Sequence, residues 1–204
     1  MDLFEPLPQQ NERKPPLYYP LHVHLAFGSI GDSILRTKDY VKRAKEYGLD
    51  HLAVTDHGSL SAIYDLAREC KKEGIQPIYG MEAYETDDMA QKDKEHKGYS
   101  HLILLARTLE GFRNLIRIHN IAQTDGFYYK PRIDRSVLRK YGRGLIASSA
   151  CVQGSIPQAI LADDPTRAIA LIQEYQSIFD SFYLEIQPGH FEEQLKVNDA
   201  IVCK

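Results

Sequence analysis

Apolar positions along this chain change period repeatedly, and each change marks an element. A polar, proline-bearing stretch over residues 1–16 reads as an extended lead-in. The run from Leu17 to His24 predicts a short strand, with Pro20 delaying regular pairing until Leu21 because it has no N–H to donate. Residues 28–33 are a Gly/Ser-containing loop. From Ile34 to Tyr47, Ile34, Val41, Ala44 and Tyr47 recur at helical spacing, and Gly48 stops the helix. His51–Val54 is a buried strand running into Thr55-Asp56-His57-Gly58, and Leu60–Glu73 is a second amphipathic helix with Leu60, Ile63, Ala67 and Cys70 on one stripe. Ile75–Tyr84 predicts a third strand, and residues 86–98 a charged loop. His101–Ala106 is a strongly apolar fourth strand.

The second half continues the alternation. Leu109–Gln123 predicts a helix with Phe112, Leu115, Ile116 and His119 on or near its buried side, and Gly126–Arg132 an aromatic, basic loop. Ile133–Tyr141 is a short helix and Gly144–Ser149 a strand. Ile156–Leu161 and Pro165–Ile178 are helices, Pro165 suiting a first turn. Phe182–Gln187 is a sixth strand, and the chain from Phe191 is helical. Strands alternating with helices predict an α/β fold built on a largely parallel sheet or barrel. No helix is evident between the third and fourth strands, which allows the fourth to run antiparallel and brings His101, at its start, beside Glu82 near the end of the third.

Composition narrows the class. At 204 residues, 43% hydrophobic and 26% charged, the chain fits one globular domain over residues 17–204. No apolar run approaches the roughly 20 residues of a membrane span. A net charge of −3 excludes gripping nucleic acid by bulk positive charge. Three irregularly spaced cysteines, Cys70, Cys151 and Cys203, argue against a disulfide framework and suit a reducing cytoplasm.

Candidate chemistry gathers where strands end, the usual place for it in α/β barrels. His22 and His24, two apart, project from one face of a strand end and can begin a metal site. His57 follows the second strand, Glu82 lies late in the third, and Cys151 follows the fifth. Each has a plainer alternative: paired surface or core histidines, a Glu82–lysine pair, a buried small Cys151. His51, His96 and His119 fit no ligand pattern; His190, just past the sixth strand, is left open.

The blocks His22-Val23-His24, Thr55-Asp56-His57-Gly58, Gly80-Met81-Glu82-Ala83-Tyr84, His101–Ala106, Gly126-Phe127-Tyr128-Tyr129-Lys130-Pro131-Arg132 and Ser149-Ala150-Cys151 together resemble the PHP (polymerase and histidinol phosphatase) domain. The last two blocks resemble the branch that opens bacterial C-family replicative DNA polymerases. The resemblance implies a distorted (β/α)7 barrel, here stopping before its last strand, and a cluster of up to three divalent ions, zinc first and manganese or iron as alternatives. It implies His22, His24, His57, Glu82, His101 and Cys151 as metal ligands. Asp32 is the candidate for one more acidic ligand, or else a cap for the helix that follows. The family's final Asp-x-His ligands have no match before Lys204. Asp56 is expected to orient His57 or cap its turn. Lys130 and Arg132 are expected either to meet a phosphate or to belong to a solvated loop or a contact with polymerase domains. The implied activity is phosphoester hydrolysis, in the form of a 3′–5′ exonuclease acting on DNA beside polymerase domains and other replisome subunits. The alternatives are a silent structural module of the polymerase and a free-standing histidinol-phosphatase-like enzyme.

Overall fold

The computed structural model describes residues 18–202. The expected lead-in, Leu17 and Cys203 lie outside the described residues. Among them, no helix is long and apolar enough to cross a membrane.

Among the described residues seven strands form one sheet: β1 (His51–Val54), β2 (Gln76–Glu85), β3 (Ser100–Ala106), β4 (Phe127–Tyr128), β5 (Lys130–Ile133), β6 (Leu145–Ser148) and β7 (Ser181–Tyr183). β2 is the pivot. Its first half pairs in parallel with β1, and its end pairs in parallel with β5, Tyr84 opposite Arg132. On its other edge β3 runs antiparallel, with Glu82 opposite Ile103 and Tyr84 opposite His101. β3 then pairs antiparallel with β6, and β6 in parallel with β7. The expectation of a reversed fourth strand holds, and it puts the start of β3 beside the end of β2.

Alternation along β2 and β3 sorts their side chains onto two faces. Met81, Ala83, Leu102 and Leu104 pack with Leu115, Ile118, Leu138, Leu145 and Tyr175 in the main core, which involves α3 (Leu109–Thr124), α4 (Arg135–Tyr141) and α6 (Pro165–Ile178). A second core joins Val41 and Ala44 of α1 (Thr37–Glu46), Leu66 and Cys70 of α2 (Ile63–Glu73), and Leu52, Val54 and Tyr79 of the sheet. Glu82, Tyr84, His101 and Ile103 are left on the opposite, concave face. There Ile78, Ile103, Leu105 and Ile146 line a cleft of about 800 Å³. Two further helices, α5 (Ser155–Leu161) and α7 (Glu192–Val202), complete the architecture.

Several expected boundaries move: α2 begins at Ile63 rather than Leu60, and α4 at Arg135 rather than Ile133, because Ile133 ends β5 and Asp134 caps the helix. Others move for equally local reasons. Residues 18–24 make no ladder: Val23 donates to the Thr55 hydroxyl (2.8 Å) and accepts from the Thr55 N–H (2.8 Å), so a side chain replaces one backbone partner. The first helix begins at Thr37 rather than Ile34, because Leu35 is held extended by Ser33 Oγ and by the Ala26 N–H, leaving Ile34 98% exposed. The 126–132 stretch is a hairpin, not a loop; Tyr129 makes its turn at φ 58°. The strand expected over 182–187 stops at Tyr183, beyond which Glu185 and Gln187 donate their N–H groups to the side chains of Ser149 and Asn198. In α3, Ile116 is exposed and Ile118 takes the core position expected of it.

Candidate metal centre

Glu82 is fully buried on the concave face, and four imidazoles converge on its two oxygens. Oε1 lies 3.4 Å from His22 Nε2 and 3.0 Å from His101 Nδ1. Oε2 lies 3.3 Å from His24 Nε2 and 2.7 Å from His57 Nδ1. The Cys151 sulfur sits 3.6 Å from His101 Nδ1 and 3.9 Å from Glu82 Oε1. Asp32, its side chain 60% exposed, reaches His57 Nε2 at 3.2 Å. All seven expected ligands therefore meet at one place. Asp32 does not cap the following helix, which starts five residues later.

Elements of different kinds bring them together. The Val23–Thr55 exchange pins the His22/His24 segment beside the end of β1, and His57 continues that edge by bridging to Glu82. The reversed β3 delivers His101, and the turn after β6 delivers Cys151, where Ala150 takes φ 57°.

Electrostatics follow from this crowding. Burial would raise the Glu82 carboxyl, but the imidazoles of His101, His22 and His57 packed against its two oxygens hold it well below the usual carboxylate range. Burial alone would lower His22; its bonds to Glu185 and Glu82 instead push it up to about 9. His24 has the opposite balance. Burial, only partly offset by the Glu82 charge and reinforced by His57 and His22, takes it down to about 4. Its ring stacks on His57 at 4.2 Å. Burial also pushes the Cys151 thiol up to about 11.

The donor set suits divalent cations of the zinc, manganese and iron kind: imidazoles, carboxylates and one thiol. His22, His24 and Glu82 form one cluster able to hold an ion, and His57, Glu82 and His101 a second, the ligand atoms in each lying within 4.8 Å of one another. The fit has a sharper sign. Glu82 Oε2 and His57 Nδ1 are buried and 2.7 Å apart, yet not in hydrogen-bond geometry, and neither finds another hydrogen-bond partner. Two buried polar atoms aimed past each other in this way are what a shared cation would satisfy.

Three residues expected to assist catalysis sit differently. Asp56 does not bond the His57 ring. It accepts from the Leu25 N–H (2.7 Å) and from Ser29 Oγ (2.8 Å), anchoring the loop that carries His24 and Asp32. Gly28 lies against it so closely that a Cβ there would fall 2.2 Å from Asp56 Oδ2. Lys130 places its ammonium 5.2 Å from the Tyr84 ring centre, and Tyr84 is stacked on His57. Arg132 is wholly buried. Its guanidinium donates to the carbonyls of His96 (2.6 Å), Gln91 (3.0 Å), Gly126 (3.4 Å) and Met89 (3.5 Å), so it holds the 86–99 loop instead of facing a substrate.

Two residues at the site had not been anticipated. Ser29 Oγ donates to Asp56 and lies 3.2 Å from His24 Nδ1. Glu185 Oε1 lies 2.7 Å from His22 Nδ1. Glu185 carries the signal used for the others, a polar residue at a strand end, but no motif pointed to it. His51 and His96 pair locally with Asp50 and Asp93, His119 lies beside Asn120 and Gln123, and His190 is exposed; none joins the cluster.

The PHP domain family matches residues 20–189, and the chain belongs to that family. Among curated proteins it is similar to the DNA polymerase III subunit alpha of Borreliella burgdorferi, 41% identical over 186 residues that cover 89% of this chain and 16% of the relative. It is also similar to the subunit of the same name from Chlamydia muridarum, 42% identical over 210 residues that cover 91% of this chain and 17% of that one. The chain thus spans about a sixth of the length of these relatives. A solved structure of a candidate metal-dependent phosphoesterase from Bifidobacterium adolescentis shares the fold, with a TM-score of 0.51 at 14% identity, covering 93% of this chain and 85% of the other.

Proposed function

We propose that this chain is a metal-dependent phosphoesterase that removes nucleotides from DNA 3′ ends, a 3′–5′ exonuclease module. Its setting on this reading is the bacterial cytoplasm, within a longer replicative polymerase chain and beside other replisome subunits. The similarity to polymerase alpha subunits supports that setting, and a distorted (β/α)7 barrel is the architecture we propose for the domain.

The observation that carries the reading is Glu82, one buried carboxylate contacted on both oxygens by four imidazoles. His22 and His24 with Glu82 would hold one ion; His57, with Glu82 and Asp32, a second; and His101 and Cys151, also sharing Glu82, a third. Zinc is the first choice because the set includes a thiol, with manganese and iron as alternatives. Bound divalent ions supply a water acidic enough to deprotonate near neutral pH and neutralise charge on a phosphodiester. The chain's own groups do the rest. His24, held neutral by burial, presents Nε2 as a lone-pair donor at neutral pH. Lys130, poised over Tyr84 at the margin of the cluster, is placed to draw a phosphate toward it. Arg132 is assigned no part in the chemistry.

The test is cleavage of a 5′-labelled single-stranded oligonucleotide, with zinc, manganese or iron(II) and with a chelator. We expect metal-dependent shortening from the 3′ end, abolished in Glu82→Gln. A faster turnover of a small phosphomonoester would favour a free-standing phosphatase. Metal bound tightly with neither substrate cleaved would overturn the enzymatic reading and leave a structural module.

A further inference from the structure

We infer that Glu185 is a positioning residue: by holding Nδ1 of His22 it commits Nε2 of that ring to the metal cluster. The inference rests on the reading of His22 as a metal ligand.

A neutral imidazole carries its proton on one nitrogen and a lone pair on the other, and whatever faces the first decides which is free. In His22 the two nitrogens face different surroundings. Nε2 looks inward, 3.1 Å from His24 Nε2 and 3.4 Å from Glu82 Oε1. Nδ1 looks outward to Glu185 Oε1 at 2.7 Å; the Gln187 amide nitrogen lies farther off, at 3.2 Å, and gives a hydrogen to the same Glu185 oxygen. A carboxylate accepts and cannot donate, so it keeps a proton on Nδ1 and leaves Nε2 as the nitrogen at which an arriving cation displaces a proton.

Glu185 is itself held rigidly. Ser148 Oγ donates to Oε2 (2.8 Å) and the Gln187 amide to Oε1 (2.8 Å), while the Glu185 N–H donates to Ser149 Oγ (2.9 Å). Both carboxylate oxygens are therefore engaged on the side of the ring away from the cluster. Glu185 belongs to neither of the two clusters whose ligand atoms converge on Glu82. His24 gets its support another way. The Ser29 hydroxyl gives its hydrogen to Asp56 and so can only accept at His24 Nδ1, which keeps a proton on that Nδ1 too, without a charge in contact with the ring. Each histidine of the pair thus presents Nε2, but only His22 has a carboxylate directly behind it. Such partners of metal-bound histidines typically change metal affinity about 10–100-fold when removed.

The test measures zinc affinity of the purified chain by competition with a chromophoric chelator, together with urea denaturation of the metal-free protein. Wild type and His22→Ala come first. If wild type binds no zinc, or His22→Ala binds as wild type does, the ligand reading fails and the role of Glu185 fails with it. Given a His22-dependent site, Glu185→Ala should weaken zinc binding about 10–100-fold. Glu185→Gln should lie between, since its amide oxygen can still accept from Nδ1. Ser148→Ala, which loosens Glu185 without touching His22, should stay within about threefold of wild type. Wild-type affinity in Glu185→Ala, or equal losses in Glu185→Ala and Ser148→Ala, would show that only the packing of this corner matters, and the inference falls. Should Glu185→Ala not fold, the isosteric Glu185→Gln decides: several-fold weaker binding supports the inference and unchanged binding overturns it.

Discussion

Replacing Arg132 by alanine separates two roles for one guanidinium. As a phosphate clamp it would matter to turnover and little to folding. The structure gives it the reverse duty: it is fully buried and donates to four backbone carbonyls, two of them at 2.6 and 3.0 Å. Hydrogen bonds to a charged group each contribute about 1.5–3 kcal/mol, so the two short ones alone set a loss of about 3–6 kcal/mol. The carbonyls of His96 and Gln91 would also be left to find water. Against a typical stability of about 5–15 kcal/mol this is a large fraction. For a chain of this length it corresponds to a fall in melting temperature of about 6–24 °C at about 2–4 °C per kcal/mol. The assay is urea denaturation followed by circular dichroism, paired with zinc affinity of the fraction that remains folded. Arg132→Lys should recover less than half the loss, because an ammonium cannot fork to carbonyls on both sides of the loop. A variant less than about 1 kcal/mol below wild type, yet inactive on DNA, would refute the reasoning and restore the phosphate role.

Other consequences can be checked alongside. Gly28→Ala drives a Cβ to within 2.2 Å of Asp56, so it should displace the loop carrying Asp32 and lower metal content; unchanged metal content would show that the loop yields without moving the site. Cys151→Ala should leave the His22–His24 cluster able to bind and reduce the ions bound per chain, measured by elemental analysis. Asp134 accepts from the N–H groups of Ser136 and Val137 at the start of α4, so Asp134→Ala should cost about 1 kcal/mol in urea unfolding. Burial would raise the Asp134 carboxyl, but bonds led by Ser136 lower it. Its contribution should therefore be full above its unfolded value, about 3.9, and fade as pH falls through the lower folded one. Wild type and variant converging in acid would bear this out. Cys70, buried and with its thiol pushed up to about 12, should resist alkylation at neutral pH in the native protein; rapid labelling would show that the α1–α2 core opens readily.

Much of the site was legible in the sequence because its ligands sit at strand ends, and strand ends are marked by where an apolar run stops. His51–Val54 and Pro165–Ile178 were bounded as the structure has them, the first by its apolar block and the second by its N-terminal proline. The reversal of β3 could be anticipated from the helix-free 86–98 stretch. What stayed hidden depends on partners remote in sequence. Arg132 looks like a surface cation in an aromatic loop, and only the fold shows that backbone carbonyls up to 43 residues away consume its donors. Asp56 is next to His57 in sequence but serves Leu25 and Ser29, 31 and 27 residues distant. Glu185 meets His22 across 163 residues, in a segment whose side-chain pairing ends the strand early.

Glu82 gives any metal titration of this chain a characteristic shape. Because one carboxylate belongs to both clusters, the sites cannot fill as independent compartments. The first ion to arrive takes the negative charge that would have attracted the next, so later ions enter a weaker field. Binding should be stepwise, and preparations given less than a full complement should hold a mixture of partly loaded molecules. A single averaged stoichiometry would conceal that mixture, whereas native mass spectrometry would display it as separate peaks.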